Sequence, residues 1–347
     1  MKAESDFGRL IERLSEPGGY FDSDNLVSNE ASYLHVLGTM KKRNVTGGAY
    51  IGVGPEQSFS YIAQVRPRIA FIVDIRRDNL LHHLLFKSLF SIARNRIEYL
   101  CLLFGKPFPE DSKQWKQRSV QQLVEYLEKT PSRRETLEAT SAEIQTKVKS
   151  FGVSLTAAEL ETINRVHTQF FNGGLDLRFT SRNRPSRSYY PTYRDLLLEK
   201  DLTGRQANYL ANEDDFQFIK SLEKKNLIIP VVGDLAGEHA LVAIGRLLTE
   251  RNERLSTFYA SNVEFYLMRD GSFDRFAQNL RGLPRNEQSV IIRSLFSGTY
   301  GYAHPQSVPG YFSTQILQTI DSLIKEHAGG GYQTYSDLVS KHSLDLR

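Results

Sequence analysis

Two apolar runs joined by one short amphipathic stretch constrain this chain more than any other feature. Ala49 to Val53 (AYIGV) is short and β-favouring and stops at Gly54-Pro55, and Ile69 to Ile75 (IAFIVDI) is nearly continuous in apolar residues and carries Asp74 near its end. Between them Phe59, Ile62 and Ala63 fall at helical spacing, with Pro55 suited to a helix's first turn. The second run lacks polar alternation, as expected of a strand covered on both faces. Leu80, Leu81, Leu84, Leu85, Leu89, Phe90 and Ile97 then predict a long helix or helix pair over 79–104. A strand-helix-strand unit continued by a crossover helix favours a parallel sheet.

The same logic divides the rest of the chain. Residues 1–47 read as a helical N-terminal segment with a Gly18-Gly19 break, and 48–105 as the first part of the sheet domain. Over 106–225 the strand signal gives way to charged helical segments such as Val120 to Lys129 and Thr156 to Phe171, read as a mainly helical insertion or cap. The sheet pattern resumes over 226–347. Asn226 to Asp234 and Leu255 to Ala260 read as strands, Ser289 to Phe296 is a further strand candidate, and helices are expected between and after them. The fold expected is α/β, a Rossmann-type, mostly parallel sheet flanked by helices, with a large helical insertion.

The candidate chemistry centres on GGAYIGVGPEQ and the acid that follows it. A glycine at the end of the first strand allows a tight turn and close ligand approach, and a carboxylate ending the next strand can accept bonds from ribose hydroxyls. Gly52, Gly54 and Asp74 are therefore candidates for a nucleoside cofactor. The alternative is a plain turn and a helix cap.

These residues resemble the class I S-adenosylmethionine-dependent methyltransferases, whose first motif is an acidic residue and a G-x-G-x-G loop. Here Tyr50 stands where the family's acid falls and Glu56 where its third glycine falls, leaving Glu56 or Glu30 to supply the carboxylate, and Gln57 takes the third glycine position of the nicotinamide pattern. The resemblance implies S-adenosylmethionine as cofactor. It also implies that Gly233-Asp234, ending VVGD, meets the adenine, with an ordinary helix cap as the other reading of Asp234. Ser261, Asn262 and Glu264 follow the strand 255–260 where the family faces the transferred methyl group, and they are the catalytic candidates, although Ser and Asn also start helices. Asn29 and Glu30 lie in a polar segment, Asp22 to Tyr33, which either closes over the site or caps a surface helix.

The insertion contains RFTSRNRPSRSYYPTYR (178–194), with five arginines, three tyrosines and no acid. Arg182, Arg184 and Tyr190 are candidates to bind an anionic substrate, nucleic acid included, against a solvated loop neutralised by Asp195 and Glu213 to Asp215. A net charge of +4 over 347 residues excludes a polycation built to coat nucleic acid. The single cysteine, Cys101, excludes an internal disulfide and a cysteine-built metal site, and the histidines lack ligand spacing. No apolar run reaches the roughly 20 residues of a membrane span, and MKAESDFGRLIERL lacks a signal peptide's apolar centre, so a cytoplasmic protein is expected. The function expected is methyl transfer to an acceptor the sequence does not name. The alternatives are a non-catalytic binding or regulatory scaffold and a nicotinamide-dependent oxidoreductase.

Overall fold

The computed structural model describes residues 2–182, 184, 187–296 and 303–347; Asn183, Pro185 and Ser186 of the arginine segment lie outside the described residues. In chain order the elements are α1 (Lys2–Leu14), α2 (Leu37–Lys42), β1 (Ala49–Gly52), α3 (Gln57–Val65), β2 (Ile69–Asp74), α4 (Arg77–Ile92) and α5 (Arg96–Phe104). The helices α6 (Val120–Lys129), α7 (Arg134–Ser150), α8 (Ala157–Gly173), α9 (Tyr193–Leu198) and α10 (Glu213–Lys224) follow. The remainder is β3 (Ile228–Val232), α11 (Ala240–Glu250), β4 (Leu255–Ser261), α12 (Val263–Arg269), α13 (Phe273–Gly282), β5 (Arg285–Phe296), β6 (Ser313–Thr319), α14 (Ile320–Ala328) and α15 (Tyr335–Ser340).

The six strands form one sheet in the order β3-β2-β1-β4-β5-β6, with every neighbouring pair parallel except β5 and β6. Every residue of β1 and β3 is buried, as the unbroken apolar runs require of strands covered on both sides. Chain order reverses at β1, whose neighbours are β2 and β4. The loops leaving β1 and β4 therefore diverge to opposite sides of the sheet and leave a crevice between them.

The helices expected after Phe296 are present as α14 and α15, but the sequence reading misses β6, which precedes them and runs antiparallel to β5. The helices of 106–225 do not form a separate core. Leu123, Ile144, Phe170 and Phe216 belong to the same hydrophobic cluster as Phe59, Phe71 and Leu84. Three of these helices begin at Ser119, Thr156 and Thr192 with reciprocal capping boxes, each satisfying otherwise orphaned backbone donors. Asp195 thus caps α9 rather than neutralising the arginine segment. Cys101 is fully buried, and burial pushes its thiol up to about 12, a value that leaves it unreactive.

Candidate functional site

A cleft of about 740 Å³ opens outside the carboxyl ends of β1 to β4. Asn29, Glu30, Gly54, Asp74, Gly233, Asp234, Ser261 and Asn262 all line it, as do Arg184 and Tyr190 from the insertion. Residues from six separated stretches of sequence thus meet in one place, at the reversal of strand order.

Gly54 has φ +81°, a conformation open to glycine but strained for other residues, and it turns the chain out of β1 into the cleft. His83 on α4 holds this loop. Its Nε2 lies 2.9 Å from the Gly54 carbonyl, which can only accept, so that nitrogen carries the proton. Burial pulls the His83 imidazole down to about 4, keeping it neutral in this role.

Gly52 does not reach the cleft. The Tyr50 ring folds beneath it, and a Cβ there would stand 2.4 Å from the Tyr50 hydroxyl, so packing rather than a ligand requires the glycine. Gly233 serves packing as well as lining the cleft, because a Cβ there would meet that of Ala240 on α11 at 2.3 Å.

Asp74 ends β2 as expected, but its carboxylate is already engaged. It accepts from the Arg76 backbone N–H at 2.9 Å, from Nε at 3.0 Å and from Nη2 at 2.8 Å. Arg76 spends its remaining donor group on the carbonyls of Ser23 and Asp24, tying the N-terminal segment across the end of the sheet. A carboxylate has about four acceptor positions, so one stays open to the cleft. Asp234 does not cap α11: its Oδ1 accepts from the Ala236 N–H at 2.9 Å, and its own N–H donates to Glu16 Oε1 at 2.8 Å.

Glu30 forms the floor. Its buried carboxylate accepts from Tyr259 Oη at 2.7 Å, Ser294 Oγ at 2.5 Å, Gln315 Nε2 at 2.9 Å and Gln57 Nε2 at 3.2 Å, and also from Ser261 Oγ. Among the described residues no cation pairs with it, and five neutral donors surround the buried carboxyl group. Gln57 thus supports the floor from behind rather than touching a ligand. Ser261 holds φ +51°, an unusual conformation for serine, at the point where β4 meets the cleft.

Two further candidates are corrected. Glu264 is wholly buried beneath the cleft, where it receives Arg293 Nε at 2.5 Å and Nη2 at 3.1 Å, while Gln318 takes Arg293 Nη1 at 2.8 Å. An ion pair with no exposure cannot face a methyl group. Glu56 also lies behind the loop: its Oε2 has no hydrogen-bond partner, and burial pushes the carboxyl up to about 8. It therefore supplies no charge to a cofactor at neutral pH.

In the arginine segment, Arg182 stands outside the cleft, 3.6 Å from Asp78 and over the Tyr20 ring. Arg184 lies 3.7 Å from Asp22, Arg194 pairs with Glu128 and Asp176, and Arg178 donates to the carbonyls of Ser188 and Tyr190. The acids expected to neutralise the segment act elsewhere, Asp215 on Arg66 and Glu213 on Arg96.

The family model described as a domain of unknown function, DUF7790, matches residues 26–342. The chain belongs to this family. No curated protein matches the sequence. The match begins just ahead of Glu30 and ends in the chain's final turn, so the DUF7790 domain comprises the whole sheet, the insertion and the floor of the cleft together.

Sequence reasoning passes over Arg76, Tyr259, Ser294 and Gln315, which organise the site, and the aromatic walls built by Phe265 and Tyr266 on one side and by Phe179, Phe296 and Phe312 on the other. Two signals for them are present: Arg293 and Ser294 interrupt the apolar run VIIRSLF, and Gln315 and Gln318 interrupt STQILQT. Among the described residues no group of His, Cys, Asp or Glu is placed to hold a metal ion, and no helix is long and apolar enough to cross a membrane.

Proposed function

We propose that the cleft binds S-adenosylmethionine and that the protein is a methyltransferase-like enzyme of Rossmann type. The observation that carries this reading is the convergence of the Gly54 turn, Asp74, Gly233-Asp234 and Ser261-Asn262 on one crevice at the carboxyl ends of the strands. The strand order, three-two-one-four-five-six, is that of doubly wound nucleotide-binding sheets, and ligands of such sheets sit at the reversal point. The uncompensated Glu30 carboxylate favours a ligand with a positive charge, which S-adenosylmethionine has on its sulfonium and ammonium groups. Asp74 would offer its open acceptor position to a ribose hydroxyl. The Asn262 side chain, lining the cleft without a hydrogen bond among the described residues, would orient the acceptor.

A second reading, a binding scaffold without turnover, is favoured by one observation: Arg76 already takes three of the positions on Asp74. Thermal-shift and calorimetric titration with S-adenosylmethionine, S-adenosylhomocysteine, NAD and NADP tests both, since a ligand held only by the folded state raises its melting temperature. Stabilisation by the first two and not by the nicotinamides is expected. Stabilisation by NAD or NADP alone moves the reading to an oxidoreductase, and binding without methyl loss from S-adenosylmethionine, across a panel of acceptors, moves it to the scaffold.

A further inference from the structure

The cleft has two ends of different chemistry. Near Gly54 and Asp74 it is polar, whereas beneath the insertion it is walled by rings. Phe312 lies 4.2 Å from Tyr189 and 5.8 Å from Phe296, centroid to centroid, and Tyr190 stands 5.4 Å from Phe179. These separations are those at which aromatic rings attract one another, so the wall is pre-formed and presents π faces and edges to whatever enters.

Arg184 and Arg187 border this end. Their electrostatic positions differ. Arg184 faces Asp22, and the other acid at the rim, Asp270, is matched by Arg269 at 2.8 Å. Arg187 is exposed, donates to the Tyr189 phenol and rests 5.7 Å from that ring's centroid, yet no carboxylate lies within ion-pair distance of it among the described residues. The Tyr190 phenol beside it is raised by burial, while the Arg187 charge and the Asn29 side chain draw it back down. One guanidinium fork without a carboxylate therefore stands over a wall of rings.

We propose that this end of the cleft takes a planar, conjugated small molecule bearing a carboxylate or a similar acid, its ring against Phe312 and Tyr190 and its acid on Arg187. A guanidinium binds a carboxylate through two parallel bonds, and the ring wall supplies the contact area. The volume of about 740 Å³ lies in the upper part of the roughly 300–1,000 Å³ of small-molecule sites, room for such an acid beside a nucleoside. A long polyanion fits less well, because four of the five arginines in 178–194 already face carboxylates or carbonyls. This inference rests on the reading that the polar end holds the cofactor, and its test is separable from that reading.

The probe is 2-naphthoate, titrated calorimetrically into the full chain beside 2-naphthamide, which keeps the ring and loses the charge, and decahydronaphthalene-2-carboxylate, which keeps the charge and loses the planarity. Naphthoate should bind at least about tenfold more tightly than either control, the factor expected of one charged hydrogen-bonded pair. Arg187→Gln should weaken naphthoate about tenfold and bring it level with the amide, while leaving S-adenosylhomocysteine binding unchanged. Phe312→Leu should weaken the naphthoate and amide alike. Equal binding of naphthoate and naphthamide, unchanged affinity in Arg187→Gln, or no naphthoate binding at millimolar concentration overturns the proposal. S-adenosylhomocysteine titrated on the same samples reports the cofactor reading by itself, so either can fail while the other stands.

Discussion

At the scale of single residues, the carboxylates decide what this cleft can do, and three of them reach the same neighbourhood in different states. Asp74 is bound by a guanidinium, Glu30 by neutral donors, and Glu56 by nothing on one of its oxygens. Asp74→Ala should therefore have two effects. Removing the partner of the buried Arg76 should cost about 3 kcal/mol of stability, read by urea denaturation, since a buried charge is left uncompensated. The lost acceptor should also weaken cofactor binding by about 1–3 kcal/mol, read by calorimetry. Asp74→Ala combined with Arg76→Met should recover much of the stability but none of the affinity, and recovery of both would remove Asp74 from the ligand. Glu56 carries a pH signature. Its folded value of about 8 lies above the ordinary carboxylate range, so between about 4.5 and 8 the unfolded chain has released a proton that the folded one keeps. Stability must then fall as pH rises through that window. Glu56→Gln should abolish this part of the slope, and identical profiles for variant and parent would show that Glu56 titrates normally.

Among the elements, the central strands were legible and the edge was not, for one physical reason. β1, β2 and β3 are covered on both faces, so their sequences are runs of apolar residues that no other element produces as readily. The antiparallel β6 is equally buried, but Thr314, Gln315 and Gln318 point into polar partners rather than into hydrocarbon, and the run loses its apolar signature. The glycines at the end of β1 were found, yet only Gly54 turns toward the cleft, because what Gly52 accommodates is a ring two residues back that no spacing rule records. Glu264 followed β4 where a catalytic residue was expected and instead became the partner of an arginine on β5. Glu264→Gln should consequently cost about 3–5 kcal/mol in chemical denaturation, the price of a buried guanidinium without its counter-ion. Asn262→Ala, two residues earlier and open to the cleft, should leave stability and cofactor affinity nearly unchanged while slowing methyl transfer. A loss of cofactor affinity would place Asn262 on the cofactor instead.

For the molecule as a whole, the insertion and the N-terminal segment belong to the site as much as the sheet does. Ser23 bridges to Ser181, the Ser23 hydroxyl donates to the Thr180 carbonyl at 2.8 Å, and Arg76 holds the same stretch to the end of β2. Glu30, a few residues further on, is reached by donors from α3, β4, β5 and β6. This last feature bears on biosynthesis. A ribosome releases the Gly54 turn and Asp74 early, yet the set of donors on the Glu30 carboxylate stays incomplete until Gln315 has emerged and β6 has paired with β5. Until then Gln57, Tyr259, Ser261 and Ser294 hold the carboxylate without Gln315, and the floor of the crevice lacks the strand that completes it. A chain stopped after residue 312 should accordingly show no thermal shift with S-adenosylmethionine, even though every residue expected to touch that ligand is present. If the cleft binds S-adenosylmethionine as proposed, binding competence arrives only with β6, and copies not yet extended that far do not sequester the cofactor.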